Sequence, residues 1–234
     1  MDRRSFLGFG GSLLGLSSLA RFRFGAFPDI GTSGQPPSVD SPPRPPHLLH
    51  LPATLQANAF ASATGDDARY HALVYEGGGA ADKSLLTTPR SDTGVARELR
   101  AAGARDGGGV PMSAWTLRRL PLVRAPDRRV EGSPLAIYVE WDGWSAPREL
   151  SSLLRDPGGR GSEFRFGGNE EHNDRWESGC IVCLFSCPGG VISNARYSIR
   201  DHVRGATRFS PAPDLPPDGT EVTVTLELLR GSQG

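Results

Sequence analysis

The 234-residue chain has little of what usually assigns a protein to a broad class. It contains three cysteines, an odd number that excludes a disulfide framework as its main source of stability. Its formal net charge is zero, which does not fit a basic nucleic-acid-binding surface. Beyond the N-terminal region, no apolar run approaches the ~20 residues that a membrane-spanning helix needs. We therefore expect no nucleic-acid partner, and membrane contact only through the N-terminus.

The sequence also lacks the common signatures of catalytic sites. It contains no G-x-S-x-G elbow, no H-E-x-x-H motif and no EF-hand loop. Residues 77–84 (GGGAADKS) resemble a phosphate-binding loop, but Asp82 replaces its second glycine and Pro89 prevents the helix that should follow. We interpret this segment as the glycine-rich end of a hairpin. The absence of an assembled catalytic pattern favours a non-catalytic protein.

What is present begins with an export-like pattern in residues 1–27. Arg3 and Arg4 precede Phe6 and Leu7 and then an uncharged stretch, which resembles the twin-arginine consensus. The uncharged stretch is too short to span a membrane. The pattern predicts export to the periplasm or to the outer face of the cytoplasmic membrane. Removal of the signal is left open, so an uncleaved signal could anchor the protein.

The next region, residues 28–68, is rich in proline, serine and glycine. Such a composition buries too little apolar surface to offset the entropy of ordering, so it predicts a disordered linker with polyproline-II character. This assignment leaves residues 69–230 for one domain and residues 231–234 for a tail.

Hydrophobic alternation in the domain indicates a protein built mainly from strands. Ser91 or Asp92 can cap a single clear helix, which Gly103 would end. Asp142 and Gly143 favour a two-residue hairpin turn. The predicted strands are residues 70–76, 135–141, 162–166, 179–186 and 220–228. We predict an α+β domain with a mostly antiparallel sheet and one short helix.

Several short motifs occur in the order of a known family. They are VEWDG, FRFGG, SGCIVCLFSCPGGVISNA and PPDGTEVTVTLEL, and with them the chain resembles the YdjY-like family of exported bacterial proteins over residues 69–229. The resemblance implies a shared fold and an exported location. It implies no activity, because the family has no established one.

The three cysteines follow the spacing C-x2-C-x3-C, with Pro188 directly after the last. This spacing matches the final part of a ferredoxin motif. In a regular strand, however, Cys180 and Cys183 point to opposite faces with Cα atoms ~10 Å apart, beyond the ~7 Å limit for a disulfide. Their apolar neighbours indicate a strand buried on both faces. We therefore predict that Cys180, Cys183 and Cys187 are core residues and that the protein has no cofactor.

A second hypothesis uses the same cysteines. His172 or His202 could complete a zinc site of three thiolates and one imidazole. A four-iron cluster would lack its fourth thiolate. On this hypothesis the chain is a metal-binding or redox accessory protein.

The first hypothesis is a non-catalytic module that binds an envelope protein or a small ligand. Residues 167–177, with Glu170, Glu171, His172 and Asp174, are predicted to form an exposed loop on the sheet, a common place for binding residues. A third, hydrolytic, hypothesis would require His71 or His172 in a pocket beside a carboxylate.

Overall fold

A computed structural model describes residues 47–65, 69–118, 120 and 124–229. The predicted export signal and the first part of the predicted linker lie outside the described residues, as does the predicted tail.

The described residues form eleven strands, five α-helices and two 3-10 helices. The strands are β1 (His47–Leu55), β2 (His71–Tyr75), β3 (Leu86–Thr88), β4 (Pro134–Glu140), β5 (Arg148–Glu149), β6 (Leu154–Arg155), β7 (Phe164–Phe166), β8 (Cys180–Cys183), β9 (Ile192–Asn194), β10 (Ser210–Pro211) and β11 (Glu221–Leu228). The α-helices are α1 (Ala57–Ser62), α2 (Asp92–Ala101), α3 (Met112–Leu117), α4 (Glu170–Trp176) and α5 (Ile199–Val203), and the 3-10 helices are Ala81–Lys83 and Leu150–Leu153.

Eight of these strands close into a mixed β-barrel. Their order is β11–β1–β3–β2–β8–β9–β7–β4, and β4 pairs again with β11 to complete the ring. The pairs β2–β3 and β8–β9 are parallel, and the other pairs around the ring are antiparallel. Strand β5 pairs with β4 but is not part of the ring. Strands β6 and β10 form a separate two-stranded sheet. A ring of eight strands encloses just enough space for side chains to fill.

The predicted fold class is therefore wrong. The structure is a closed mixed barrel, with little helix, rather than an open, mostly antiparallel sheet with one helix. Closure depends on pairings between strands far apart in sequence, such as β11 with both β1 and β4. Local hydrophobic alternation carries no information on such pairings.

Strand β1 also corrects the predicted linker, because residues 47–65 belong to the folded domain. Strand β1 pairs with β11 along nearly its whole length and with β3 through Thr54 and Leu55. Its residues alternate, so that Leu51 and Leu55 are buried while Pro52 is exposed. Proline is tolerated in this strand because β1 pairs with β3 only beyond Pro52, so no ladder hydrogen bond is lost on that side.

The strongest local patterns do form the expected elements. In β4 the alternating residues Leu135, Ile137 and Val139 are buried. In β11 the buried residues are Val222, Val224 and Leu226. Helix α2 begins after Ser91, whose hydroxyl accepts a hydrogen bond from the Gly94 amide at 3.1 Å. Each pattern is confirmed because it depends only on residues close together in sequence.

The prediction of a two-residue hairpin after β4 is wrong, because the connection from β4 to β5 is longer. A turn forms at residues 142–143, but β4 and β5 pair through Tyr138–Glu149 and Val139–Arg148. Pro147, directly before β5, delays the return strand and leaves it at the outer edge of β4. Among the described residues, no helix combines the length and apolar character needed to cross a membrane.

We predict that β1 contributes to stability as a barrel strand. Replacing Leu51, which is 0% exposed, with alanine should lower the free energy of unfolding by about 2–5 kcal/mol, because it leaves a cavity in the core. Leu48→Ala in the same strand is the matched control: Leu48 is 49% exposed, and its replacement should change stability by less than about 0.5 kcal/mol. Urea unfolding measures both. Equal, small effects would show that β1 lies outside the cooperative fold.

Candidate functional site

The cysteine strand β8 is irregular where it pairs with β2. His71 pairs with Cys183, Leu73 with Val182 and Val74 with Cys180, so the register shifts twice. Between the last two pairs β2 advances by one residue and β8 by two, which leaves Ile181 as an extra residue. An extra residue of this kind, a β-bulge, interrupts the alternation of side chains along a strand.

As a result, the side chains of Cys180 and Cys183 converge. Their Sγ atoms lie 2.7 Å apart, both residues are buried, and both thiols are free. The prediction that these two side chains project from opposite faces is therefore wrong. It assumed a regular strand, and the bulge removes that regularity.

His71 joins the two sulfurs from the neighbouring strand. Its Nδ1 atom lies 3.4 Å from Sγ of Cys180, and the ligand atoms of His71, Cys180 and Cys183 all lie within 4.8 Å of one another. The histidine is only 5% exposed. We did not predict His71 as a partner of the cysteines, because only the pairing of β2 with β8 brings it to them.

His172 and His202 do not join this group. The Nδ1 atom of His172 donates a hydrogen bond to the backbone oxygen of Pro188 at 3.0 Å. His202 stacks on Phe185 with ring centroids 4.6 Å apart, and its Nδ1 lies 2.8 Å from the Thr207 hydroxyl.

Helix α4 holds the cysteine segment in place, which corrects the prediction of an exposed loop at residues 167–177. Asn173, fully buried on α4, donates its amide to the Cys180 oxygen at 3.0 Å and accepts from the Cys180 nitrogen at 3.3 Å. Asn169 donates to the oxygens of Cys187 and Gly190 at 3.2 and 3.1 Å. Two buried amides thus fix the backbone on both sides of β8.

The loop after β8 packs closely against the sulfurs. The thiol of Cys187 accepts a hydrogen bond from the Gly189 amide at 3.4 Å. A Cβ atom on Gly190 would lie 2.9 Å from Sγ of Cys183 and 2.9 Å from Oγ of Ser193. Glycine is therefore required here to let the backbone approach the site.

Ser193 contributes a buried hydroxyl with unused hydrogen-bonding capacity. It lies on β9 directly beside Cys183 and is 0% exposed. Among the described residues, its Oγ atom has no hydrogen-bond partner. An unpaired buried hydroxyl costs about 1–3 kcal/mol, so its presence beside a sulfur calls for a physical explanation.

Burial determines the protonation of the site. Burial raises the pKa of the Cys180 thiol, and it raises that of Cys183 further, together with hydrogen bonds to Cys180 and Cys187. Burial, followed by the nearby charges of Lys83 and His202, lowers the pKa of His71 to about 3. Without a bound cation, the group at neutral pH therefore consists of thiols and a neutral imidazole.

A cavity of about 270 Å³ opens beside this group. Its lining includes His71, Cys180 and Cys187. The other lining residues are Tyr70, Gly79, Ala80, Lys83, Trp115, Trp176, Ser178 and Gly189. No described residue that lines it is an aspartate or glutamate. The hydrolytic hypothesis, which needs a carboxylate beside His71, thus finds no support in this cavity.

A larger groove of about 710 Å³ lies elsewhere, beside Trp141 and Trp144. Its charged residues are Glu76, Glu140, Asp142 and Glu221, and no histidine or cysteine lines it. Size alone would favour this groove, but the reactive side chains of the described chain converge at the smaller cavity. We therefore place the candidate site at His71, Cys180 and Cys183.

Comparisons with known proteins cover nearly the whole described domain. The family model described as the YdjY domain matches residues 47–227, starting at the first residue of β1. A protein of Escherichia coli (strain K12) named "Uncharacterized protein YdjY" is 32% identical over 165 residues, which is 70% of this chain and 68% of that relative. No solved structure gives a significant match.

We predict that His71 makes the stability of the metal-free protein depend on pH. Its pKa is about 3 when folded and 6.5 ordinarily, so between these values the unfolded state binds the proton and the folded state does not. The free energy of unfolding should therefore fall as the pH drops below 6.5, by up to about 1.4 kcal/mol per pH unit from this group.

Urea unfolding of His71→Asn between about pH 7 and pH 5 isolates this contribution, because asparagine does not titrate. His47→Asn, at an exposed position of β1, should retain the slope of the unaltered protein. Identical slopes for the unaltered protein and His71→Asn would contradict the assignment of a buried neutral imidazole.

Proposed function

The chain belongs to the YdjY domain family, and we propose that its barrel binds one thiophilic metal ion, zinc(II), between His71, Cys180 and Cys183. The observation that carries this proposal is the convergence of three donor atoms within 4.8 Å at a buried position. Two of these atoms are sulfurs and one is an imidazole nitrogen, the ligand types that zinc prefers.

The nitrogen–sulfur distance is close to that of a tetrahedral zinc site, whereas the sulfur–sulfur distance is shorter. At the usual bond lengths, a nitrogen and a sulfur on one zinc ion lie about 3.6 Å apart and two sulfurs about 3.8 Å apart. His71 Nδ1 and Cys180 Sγ are 3.4 Å apart, while the two sulfurs are 2.7 Å apart. Binding therefore requires the sulfurs to separate by about 1 Å, which a side-chain rotation can supply.

The surrounding hydrogen bonds also support a metal-bound state. Asn169 and Asn173 hold the backbone of the cysteine segment by hydrogen bonds. In known metal sites, hydrogen bonds to the ligand residues orient the ligands in a similar way. The unpaired hydroxyl of Ser193 lies beside Cys183 and would donate to a thiolate there. A metal ion would thus resolve both the unpaired hydroxyl and the crowding of two sulfurs.

Thiol redox chemistry is less well supported by the same residues. The attacking species in disulfide exchange is the thiolate, and burial raises the pKa of both Cys180 and Cys183. A bound cation counteracts this effect, because it deprotonates a coordinating thiol outright. An iron–sulfur cluster would still lack a fourth cysteine.

The interaction-module hypothesis depended on an exposed loop at residues 167–177. Those residues include α4, and two of their side chains are occupied in holding the cysteine segment. We therefore prefer metal binding to partner binding through this segment.

We predict that the purified full-length chain, reduced and freed of metal, takes up one zinc ion. His71→Asn, Cys180→Ser and Cys183→Ser should each weaken binding at least about tenfold, because each removes a ligand. Competition with a chromophoric zinc chelator gives the affinity, and elemental analysis gives the stoichiometry and would reveal iron. His172→Asn is the matched control and should bind zinc normally.

Ser193→Ala should affect the metal-free and the metal-bound protein differently. It should make the metal-free protein no less stable, because it removes an unpaired buried hydroxyl, and it should weaken zinc binding about tenfold. Failure to bind zinc, or equal losses in His172→Asn and His71→Asn, would contradict the proposed function. So would stoichiometric iron with acid-labile sulfide in place of zinc.

We also propose that the protein is exported through its twin-arginine pattern to the periplasm or to the outer face of the cytoplasmic membrane. The support is the sequence of residues 1–27. Replacing Arg3 and Arg4 together with lysine should retain the protein inside cells, as judged by fractionation, while Arg21→Lys should not. Equal export of both variants would contradict this route.

A further inference from the structure

The proposed metal site borders a cavity. His71 and Cys180 line the cavity of about 270 Å³, whereas Cys183 is fully buried and does not line it. A metal ion held by these three residues would therefore present its fourth coordination position to the cavity. Zinc sites with three protein ligands characteristically bind water or a substrate at that position.

We infer that this fourth position binds a small organic anion, with its charged head between the metal ion and Lys83 and its apolar body against Trp115 and Trp176. The inference rests on the proposed metal site and adds to it a ligand class and two recognition elements.

The basic side chain of Lys83 in the cavity wall supports an anionic ligand. Zinc(II) with two thiolates and a neutral imidazole carries no net charge, so an added anion would leave an uncompensated negative charge in a largely buried site. The ammonium group of Lys83 can compensate that charge from the cavity wall. Lys83 is also the single lysine of the chain, whose other basic side chains, apart from histidine, are arginines.

The size and lining of the cavity support a small ligand with an apolar part. Its volume lies just below the ~300–1,000 Å³ of pockets for drug-sized molecules. The rings of Trp115 and Trp176 have centroids 5.8 Å apart and are tilted by 54°, and both are half-buried. Their half-buried indole rings can pack against an aromatic or short aliphatic group.

Cys187 is the competitor for the same coordination position. It also lines the cavity, but its sulfur lies outside the group of three ligand atoms within 4.8 Å of one another. If Cys187 moved onto the metal ion, the fourth position would be closed. The experiment therefore has to distinguish an open site from one that Cys187 occupies.

Cobalt(II) in place of zinc gives the required readout in the full-length chain. Its thiolate charge-transfer absorption reports metal uptake, and its d–d bands report changes in coordination. We expect benzoate and acetate, added as probes, to change the d–d bands saturably. Benzoate should bind about fivefold more tightly or better, because only benzoate has a ring to place against the tryptophans.

Variants of Lys83 test the charge. Lys83→Gln should weaken both anions about fivefold or more without changing cobalt uptake, and Lys83→Arg should largely restore binding. Arg97→Gln, which removes the same charge from an exposed position of α2, is the matched control and should have no effect.

The outcomes separate the two proposals. Absence of cobalt uptake would overturn the metal site and this inference together. Normal uptake with d–d bands that no anion changes would overturn the inference alone. Anion sensitivity that appears only in Cys187→Ser would show that Cys187 occupies the fourth position, and equal affinities for acetate and benzoate would overturn the apolar subsite.

Discussion

The irregular pairing of β2 with β8 is the constraint on which the site depends. A regular ladder would place Cys180 and Cys183 on opposite faces of β8 and keep their sulfurs apart. The extra residue Ile181 places both sulfurs together, and the same pairing sets His71 directly opposite Cys183. The irregular pairing thus creates a group of metal-ligand type inside the barrel.

Burial makes this group chemically unusual. In the absence of a cation, burial favours protonated thiols and a neutral imidazole. The thiols are therefore poor nucleophiles, because the thiolate is the reactive form. The same burial makes a bound metal ion effective, because its charge is little screened there. Helix α4 and Gly190 then fix the backbone around the donor atoms, so that binding an ion requires only side-chain rotation. The site is therefore better suited to holding an ion than to exchanging disulfides.

The sequence predicted those elements whose signals are local. The alternation in β4 and β11, and the Ser91 cap of α2, involve residues only a few positions apart. Strand β1 was missed because its neighbouring prolines outweighed the alternation of Leu49, Leu51, Ala53 and Leu55, which was present in the sequence.

The site itself could not be predicted from a single sequence. The spacing of Cys180 and Cys183 drew attention to the correct segment, but the position of a bulge depends on the partner strand. His71 and Cys180 are 109 positions apart in the sequence, so no local pattern could indicate their contact. The acidic segment with His172 is predicted as a loop, but it contains α4, whose buried Asn173 holds the cysteine segment.

X-ray absorption at the zinc edge of the metal-loaded protein tests the central claim most directly. We expect a coordination shell with two sulfur atoms at about 2.3 Å and at least one imidazole nitrogen at about 2.0 Å. The imidazole contribution to the spectrum should decrease in His71→Asn but not in His172→Asn. A shell of oxygen and nitrogen alone, without sulfur, would contradict the assignment of Cys180 and Cys183 as ligands.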